Sequence, residues 1–109
     1  MIYLASPYSD PDPTVKLARF QMAQLYTAQQ LRLKIPIFSP IVYGYQFEKD
    51  FNFAGDAETW KHLNNAMLHA CSEVHVLMLP GWRKSIGVAA ETRLANIYNK
   101  PISYMVPLQ

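Results

Sequence analysis

Short apolar runs alternate with longer helical patterns along the chain, and this alternation predicts a parallel sheet with crossover helices. Four runs have the length and composition of β-strands: residues 1–5, 35–39, 74–79 and 102–106. Three stretches carry apolar residues every three or four positions and predict helices: about 14–33, 57–70 and about 85–98. Thr14 and Ser85 stand where the first and the last of these helices need an N-cap.

In the first helix the apolar positions recur every three or four residues: Val15, Ala18, Met22, Leu25, Ala28 and Leu31. No period runs from Ile41 to Gly55, so this segment is predicted to be an aromatic-rich loop that can include a helical turn. Two further loops have unusual compositions. The Ser6–Pro13 loop holds three prolines, and the Pro80–Lys84 loop follows the clearest buried strand.

Right-handed crossovers between these strands give the sheet order 2-1-3-4, which is typical of a flavodoxin-like or Rossmann-like three-layer α/β sandwich. The order reverses between strands 1 and 3. Ligands of open α/β sheets bind at such a switch point, outside the carboxyl ends of the strands. The loops Ser6–Pro13 and Pro80–Lys84 are therefore expected to face a ligand-binding crevice.

Composition narrows the choice of partners. With 109 residues, of which 50% are apolar and 17% charged, the chain is predicted to form a single globular domain over residues 1–109. A net charge of +2 without a block of Lys or Arg argues against nucleic acid and membrane surfaces as partners. The single cysteine, the lack of a signal-peptide pattern and the lack of a long apolar stretch predict a cytoplasmic protein.

Glu91 is the best candidate for a chemical role. Side chains lean toward the start of a helix, so its carboxylate is expected to reach back over Gly87, where no side chain blocks the crevice. A partly desolvated carboxylate in that place can attack a sugar carbon. Ser85 and the N-terminal amides of the helix favour an anion such as phosphate. The alternatives are an exposed glutamate, a serine that only caps, and a glycine that allows close packing.

Other candidate residues carry less weight. Arg83 and Lys84 either pair with phosphate or are merely solvated. Seven aromatic residues either stack on a base or pack in a core or an interface: Tyr8, Tyr43, Tyr45, Phe47, Phe51, Phe53 and Trp82. The histidines share no metal-ligand spacing, so no metal site is predicted. His75 is expected to be a satisfied core histidine, and Cys71 is expected to serve packing.

Three segments carry a family resemblance: Tyr3-Leu4-Ala5-Ser6-Pro7-Tyr8-Ser9, Phe38-Ser39-Pro40-Ile41, and Leu79-Pro80-Gly81-Trp82 with Ser85-x-Gly87-x-x-x-Glu91. Together they resemble an uncharacterised bacterial and phage family of the nucleoside 2-deoxyribosyltransferase superfamily. The last segment is also similar to the motif of the 2′-deoxynucleoside 5′-phosphate N-hydrolases. The resemblance covers nearly the whole chain in order.

The resemblance implies N-glycosidic chemistry that needs no metal or organic cofactor. In these relatives the glutamate matching Glu91 is the nucleophile, a tyrosine matching Tyr3 lies near it, and the serine matching Ser85 binds phosphate. The expected substrate-binding residues are Ser6, Tyr8, Asn64, Trp82, Ser85 and Gly87. Sites of these relatives are often completed across a homodimer interface, so a homodimer or homotetramer is expected.

The chain departs from these relatives on the helix near Trp60, where they carry an aspartate that contacts the sugar or helps proton transfer. The matching position is Asn64. Asparagine can bind a hydroxyl but cannot act as a general acid or base near neutral pH. Four aspartates are candidates to substitute for the missing one: Asp10, Asp12, Asp50 and Asp56.

Three functions are compatible with these residues. The first is an enzyme that cleaves or transfers the N-glycosidic bond of a (deoxy)nucleoside or its 5′-monophosphate, and the set of Ser85, Gly87 and Glu91 favours it. The second is a non-catalytic nucleotide-binding module, which Asn64 favours. The third is an interaction subunit whose aromatic segment, with Tyr45 and Phe47, forms an oligomer surface.

Overall fold

The computed structural model describes residues 1–52 and 57–107, which form a parallel sheet between two layers of helices. The strands are β1 (Ile2–Ala5), β2 (Ile37–Phe38), β3 (Glu73–Leu77) and β4 (Ile102–Met105). The helices are α1 (Pro13–Arg32), α2 (Pro40–Phe51), α3 (Ala57–Ala70) and α4 (Ile86–Ile97), with a 3₁₀ turn at Trp82–Lys84.

The strand order is β2-β1-β3-β4, which confirms the predicted order 2-1-3-4. Ile2 of β1 pairs with Ile37 of β2 and with Glu73 of β3, in parallel in both cases. All residues of β1 are buried, because strands cover both of its edges and helices cover both of its faces. The architecture is a flavodoxin-like three-layer α/β fold, and its switch point lies between β1 and β3.

Two apolar clusters fill the spaces on the two faces of the sheet. One contains Tyr3 and Ala5 together with residues of α3 and α4. The other contains Leu4 together with Ala23 and Tyr26 of α1. Because neighbouring residues of a strand point to opposite faces, β1 supplies both clusters at once.

Helix α2 covers residues 40–51, where the sequence predicted the first part of a loop from Ile41 to Gly55; residues 53–55 of that loop lie outside the described residues. Its start is fixed by Ser39, whose Oγ accepts a hydrogen bond from the Val42 amide at 3.1 Å. Pro40 follows the cap, where its fixed φ suits the first helical turn. Pro40 was expected only to end the second strand, and it also begins a helix.

Three of the four aromatic residues of α2 recur every four positions. Tyr43, Phe47 and Phe51 form a row with ring centroids 5.4 Å and 6.4 Å apart. The loop prediction was wrong because glycine and charged residues lie between these aromatics. The hydrophobicity pattern therefore shows no helical period, although the aromatic side chains have one.

The N-cap of α1 also differs from the prediction. Asp12 occupies this position instead of Thr14. The Asp12 carboxylate accepts hydrogen bonds from the Thr14 amide at 2.9 Å and from the Thr14 hydroxyl at 2.8 Å. Pro13 then becomes the first helical residue, so the stiff loop after β1 is one residue shorter than expected.

The buried face of α1 runs through Ala23, Tyr26 and Thr27. Two of the apolar residues whose spacing predicts this helix, Leu25 and Leu31, are 40% and 54% exposed. The buried face mixes polar and aromatic residues with small ones, so it does not coincide with the apolar spacing that predicted the helix. Within the described ranges, no helix is both long and apolar enough to cross a membrane.

Candidate active site

The Tyr3 hydroxyl donates a hydrogen bond to the Glu91 carboxylate, which joins the central strand to α4. Tyr3 is fully buried and Glu91 is half-buried. Helix α4 packs on the sheet through Val88 and Ala95, which belong to the same cluster as Tyr3. Regular secondary structure therefore holds both partners, and neither depends on a loop for its position.

The environment of Glu91 moves its titration toward neutrality. Burial raises the pKa of Glu91 from 4.5 to about 7, and the hydrogen bond from Tyr3 opposes part of this rise. Burial and the neighbouring carboxylate raise the pKa of Tyr3 far above its ordinary value. Tyr3 is therefore a donor throughout the neutral range, whereas Glu91 changes its charge there.

The start of α4 has the predicted cap. The Ser85 Oγ accepts a hydrogen bond from the Val88 amide at 3.2 Å. A β-carbon built at Gly87 would meet only the Ser85 Oγ among the described atoms, at 3.9 Å. Open space therefore lies beside the first turn of α4, one turn ahead of Glu91. Helix N-terminal amides beside open space can receive an anion.

Two predicted substrate-binding residues carry orphaned polar atoms. Ser6 follows β1 directly and is 5% exposed, yet its Oγ has no hydrogen-bond partner among the described residues. Asn64 of α3 is half-buried, and its Oδ1 also lacks a partner within that part of the chain. Because buried polar atoms are almost always paired in folded proteins, these two atoms are suited to bind groups of a ligand.

Tyr8 belongs to the loop that follows β1, and its ring contacts residues of α1 and α2. Its ring centroid lies 6.3 Å from that of Tyr45 and 4.9 Å from the Lys16 ammonium. Burial and a hydrogen bond to Glu48 raise the pKa of Tyr8, and Lys16 pairs with the same carboxylate at 3.4 Å. These contacts give Tyr8 a packing role, and its part in binding a base stays a prediction.

Trp82 lies on the β4 side of the loop that follows β3. It is half-buried and packs against the first core cluster. Its ring centroid is 5.5 Å from that of Tyr104, and the Arg83 guanidinium lies 5.1 Å from its ring. Arg83 and Lys84 are both exposed. This loop therefore presents two cations and one aromatic ring just before the N-terminus of α4.

An aromatic groove runs between α2 and α3. Its cavity of about 210 Å³ is lined by Tyr43, Phe47, Thr59, Trp60 and Leu63. Gly44 allows the two helices to approach, because a β-carbon there would lie 3.3 Å from the Trp60 indole. The groove thus depends on one glycine of α2.

Ring contacts connect the aromatic groove to the carboxylate. The Tyr3 ring lies 5.9 Å from the Phe38 ring, and the Phe38 ring lies 5.9 Å from the Tyr43 ring. Phe38 is therefore a site residue that the sequence singled out only as part of a motif. Phe38 thus contacts both the Tyr3 ring and a ring that lines the groove.

Arg19 is a residue near the crevice that sequence reasoning missed. Its Nη1 donates to the Ser9 carbonyl at 2.9 Å, and its Nη2 donates to the Pro80 carbonyl at 3.2 Å. The guanidinium thus joins the two loops that were predicted to flank the crevice. The signal that could have found it is its spacing from Ala23 and Tyr26, which places a cation in line with the buried face of a helix.

The described aspartates that were candidates to replace the family aspartate make local contacts. Asp12 caps α1, and Asp10 accepts a hydrogen bond from the Asp12 amide at 2.9 Å. Asp50 accepts one from the Gln46 side chain at 2.9 Å. Asp56 lies outside the described residues, as does Phe53 among the aromatic candidates.

His75 has hydrogen-bond partners on both ring nitrogens, as predicted, but it is half-buried and belongs to neither core cluster. Its Nδ1 is hydrogen-bonded to the Tyr26 hydroxyl at 3.0 Å and its Nε2 to the Glu73 carboxylate at 2.9 Å. Cys71 is buried in the first cluster, and burial raises the pKa of its thiol. Over residues 1–52 and 57–107, no three metal-ligating side chains are grouped so that they could hold an ion.

No curated protein matches the chain. A family profile described as a domain of unknown function (DUF1937) matches residues 1–106. This range includes the strands and helices described above and both partners of the Tyr3–Glu91 hydrogen bond. The chain belongs to this family.

Proposed function

We propose that this protein cleaves or transfers the N-glycosidic bond of a (deoxy)nucleoside or its 5′-monophosphate, with Glu91 as the nucleophile. The proposal builds on the resemblance to the nucleoside 2-deoxyribosyltransferase superfamily. The observation that carries it is the hydrogen bond from Tyr3 to a half-buried Glu91, one turn behind the open space at Gly87.

The reaction has two displacements. An ionised oxygen of Glu91 attacks the anomeric carbon, the C–N bond breaks, and its electron pair leaves with the base, which takes up a proton from the solvent. This step leaves the sugar as an ester of Glu91. Water or a second base then attacks the same carbon and frees the carboxylate, so that configuration is retained. Water as the acceptor makes the protein a hydrolase, and a base makes it a transferase.

Tyr3 has two effects on the nucleophile. It fixes one oxygen of Glu91, which leaves the other oxygen to attack. Its hydrogen bond also stabilises the ionised carboxylate and so increases the reactive fraction near pH 7. Because Tyr3 belongs to a buried central strand, this donor is in place before the substrate arrives.

The surroundings suggest a place for each part of the substrate. Ser85 and the first amides of α4 suit a 5′-phosphate or a 5′-hydroxyl. The aromatic groove between α2 and α3 suits the base, because every base has a face that stacks on an aromatic ring. The orphaned atoms of Ser6 and Asn64 suit hydroxyl or amino groups of the ligand.

Asn64 supports a second candidate, a nucleotide-binding module without catalysis. Its orphaned Oδ1 can accept a hydrogen bond from a sugar hydroxyl, but the amide cannot give a proton to the leaving base. This candidate predicts that nucleotides bind without turnover and that Glu91→Gln leaves their affinity unchanged.

We also propose that the protein acts in the cytoplasm as a homodimer or homotetramer. Helix α4 leaves Ile86 and Ile97 exposed by 87% and 65%, and α2 leaves Phe47 exposed by 40%. Exposed apolar side chains of this size favour a self-association surface. Light scattering after size-exclusion chromatography tests this, since a purely monomeric mass at micromolar concentration would contradict it.

A role as an interaction subunit predicts loss of assembly when the aromatic residues of α2 are truncated. Phe47→Ala is the cleaner variant, because Tyr45 stacks on Phe20 with centroids 3.9 Å apart and its loss would disturb folding. Loss of assembly in Phe47→Ala together with no nucleotide binding by the wild type would favour this role over the enzyme.

Chromatography of nucleosides and 5′-monophosphates after incubation tests the enzyme directly. The proteins compared are the wild type, Glu91→Gln, and Glu58→Gln as a control at an exposed glutamate of α3. Free base from the wild type and the control, but not from Glu91→Gln, is the expected result. No release from any substrate, with or without an acceptor base, would contradict the enzyme. Asn64→Asp would then show whether the missing carboxylate is the cause.

A further inference from the structure

We propose that Arg19 is a positioning residue that fixes the spacing of the two loops around the crevice and so organises the ligand site. One loop follows β1 and the other follows β3, which are the neighbouring strands at the switch point. The link between the loops stands on geometry alone, and its kinetic consequence rests on the proposed function.

The guanidinium of Arg19 contacts both loops through backbone carbonyls. Nη1 donates to the Ser9 carbonyl at 2.9 Å and to the Tyr8 carbonyl at 3.4 Å. Nη2 donates to the Pro80 carbonyl at 3.2 Å. Because the guanidinium is planar, a fixed angle between its nitrogens becomes a fixed spacing between the loops.

The short contacts of the Arg19 guanidinium are hydrogen bonds to backbone carbonyls and not an ion pair. Its side chain is 16% exposed, and its contact with the Asp10 carboxylate is long, at 4.0 Å. A largely buried cation is costly unless hydrogen bonds compensate it, and here neutral carbonyls supply the short contacts. Hydrogen bonds from a charged donor to such carbonyls are stronger than those between neutral groups.

Gly81 gives independent evidence that the second loop is shaped around Arg19. A β-carbon at this position would lie 2.7 Å from the Arg19 Nη2. Gly81 also has a φ of +89°, a conformation that other residues rarely adopt. Both the backbone conformation of this turn and the position of the Arg19 guanidinium therefore require glycine here.

Arg19 acts through the loops and not by touching the substrate. It belongs to α1, which packs on the opposite face of the sheet from Tyr3 and α4. The loop after β1 begins with Ser6, and the loop after β3 ends at Ser85, the cap of α4. A change in loop spacing would therefore move the start of α4 relative to the buried Ser6 hydroxyl.

Hydrogen exchange measured by mass spectrometry tests the link without any substrate. The proteins compared are the wild type, Arg19→Ala, Arg19→Lys and the control Arg32→Lys, which changes an exposed arginine at the far end of α1. Amides of residues 6–12 and 80–85 are expected to exchange about tenfold faster in both Arg19 variants, because both loops lose a charged donor. The control is expected to match the wild type.

Lysine keeps the positive charge and most of the aliphatic side chain, but its single ammonium group cannot bond to both loops. Arg19→Lys therefore tests the two-sided hydrogen bonding of the guanidinium separately from its charge. It also keeps the test decisive should Arg19→Ala fail to fold. Unchanged exchange in Arg19→Lys, or faster exchange in one loop only, would overturn the proposal.

The kinetic consequence is tested on whichever nucleoside the wild type cleaves. Arg19→Lys is expected to raise KM about tenfold with a smaller change in kcat, because the loops that hold the substrate lose their spacing. The acid limb of the pH profile should keep its midpoint, since Arg19 does not contact Glu91. A moved midpoint, or an unchanged KM, would overturn the positioning role. Should the wild type cleave no nucleoside, the proposed function fails while the exchange experiment still decides the link.

Discussion

Tyr3 and Glu91 are separated by 88 positions in the chain and are joined by a hydrogen bond from the tyrosine hydroxyl to the carboxylate. Burial raises the pKa of Glu91 to about 7, and the tyrosine opposes this rise. The charge of the carboxylate near neutral pH therefore depends on a balance between its surroundings and one donor. Changes to either partner should be visible as changes with pH.

Glu91→Gln is expected to flatten the pH dependence of stability. The pKa of Glu91 in the folded protein lies above its ordinary value of 4.5, so its contribution to stability is complete below that pH and is lost as the pH rises through about 7. For the wild type the loss in free energy of unfolding is on the order of 3 kcal/mol. Urea unfolding at about pH 5 and about pH 8 measures it. Parallel curves for both proteins would contradict the prediction.

Tyr3→Phe is expected to move the acid limb of kcat/KM to higher pH. Removing the hydroxyl removes the hydrogen bond that lowers the pKa of Glu91. The loss of one hydrogen bond to a charged group corresponds to a shift of about one pH unit. A pH–rate profile of the variant against the wild type measures this. An unmoved limb would mean that the group controlling the rate is not Glu91.

Gly87→Ala is expected to stabilise the protein and to impair it as an enzyme. The added methyl group meets open space, and alanine in place of a helical glycine contributes about 0.5–1 kcal/mol. The same methyl group occupies the space ahead of Glu91, so kcat/KM should fall. Gly44→Ala is the contrasting variant, because its β-carbon would lie 3.3 Å from the Trp60 indole.

Gly44→Ala should be less stable than Gly87→Ala, because the same gain in helix propensity is offset by the close approach of its β-carbon to Trp60. Thermal unfolding of both glycine variants, with assays at a fixed temperature, separates the two effects. A destabilised Gly87→Ala, or one with full activity, would show that the space at Gly87 is not kept open for a ligand.

Ser6→Ala is expected to leave stability unchanged or slightly higher while weakening ligand binding. The Ser6 Oγ is buried without a partner among the described residues, so its removal takes away an unsatisfied atom. Ser39→Ala is the matched control, because the Ser39 Oγ caps α2 and its loss should cost about 1 kcal/mol. Calorimetric titration with a nucleotide gives the affinities. Equal affinity in Ser6→Ala and the wild type would remove Ser6 from the site.

The sheet order and the cap at Ser85 could be predicted because they depend on local patterns. Strands stand out as apolar runs, and right-handed crossovers leave few ways to order them. A serine before an amphipathic segment has a direct physical reason to cap it. The resemblance suggested that Tyr3 lies near Glu91, and the structure places the two in contact.

The missed features depend on contacts between distant parts of the chain. Helix α2 packs against Trp60 and the ring of Phe20, and the hydrophobic pattern of α2 itself does not predict these contacts. The role of Arg19 depends on two loops that meet only in the folded protein. The contact between Tyr8 and Tyr45 could not be predicted either, because α2 was predicted to be a loop.

The position of β1 in the middle of the sheet also sets the order of events during synthesis. Among the four strands Ile2–Ala5 is made first, whereas one neighbouring strand begins at Ile37 and the other at Glu73. One edge of this buried strand therefore stays open after β2 has been made and until β3 follows it. Such a strand can pair with other chains in the meantime. Slow translation before Glu73 should therefore lower the yield of folded protein more than slow translation after β3.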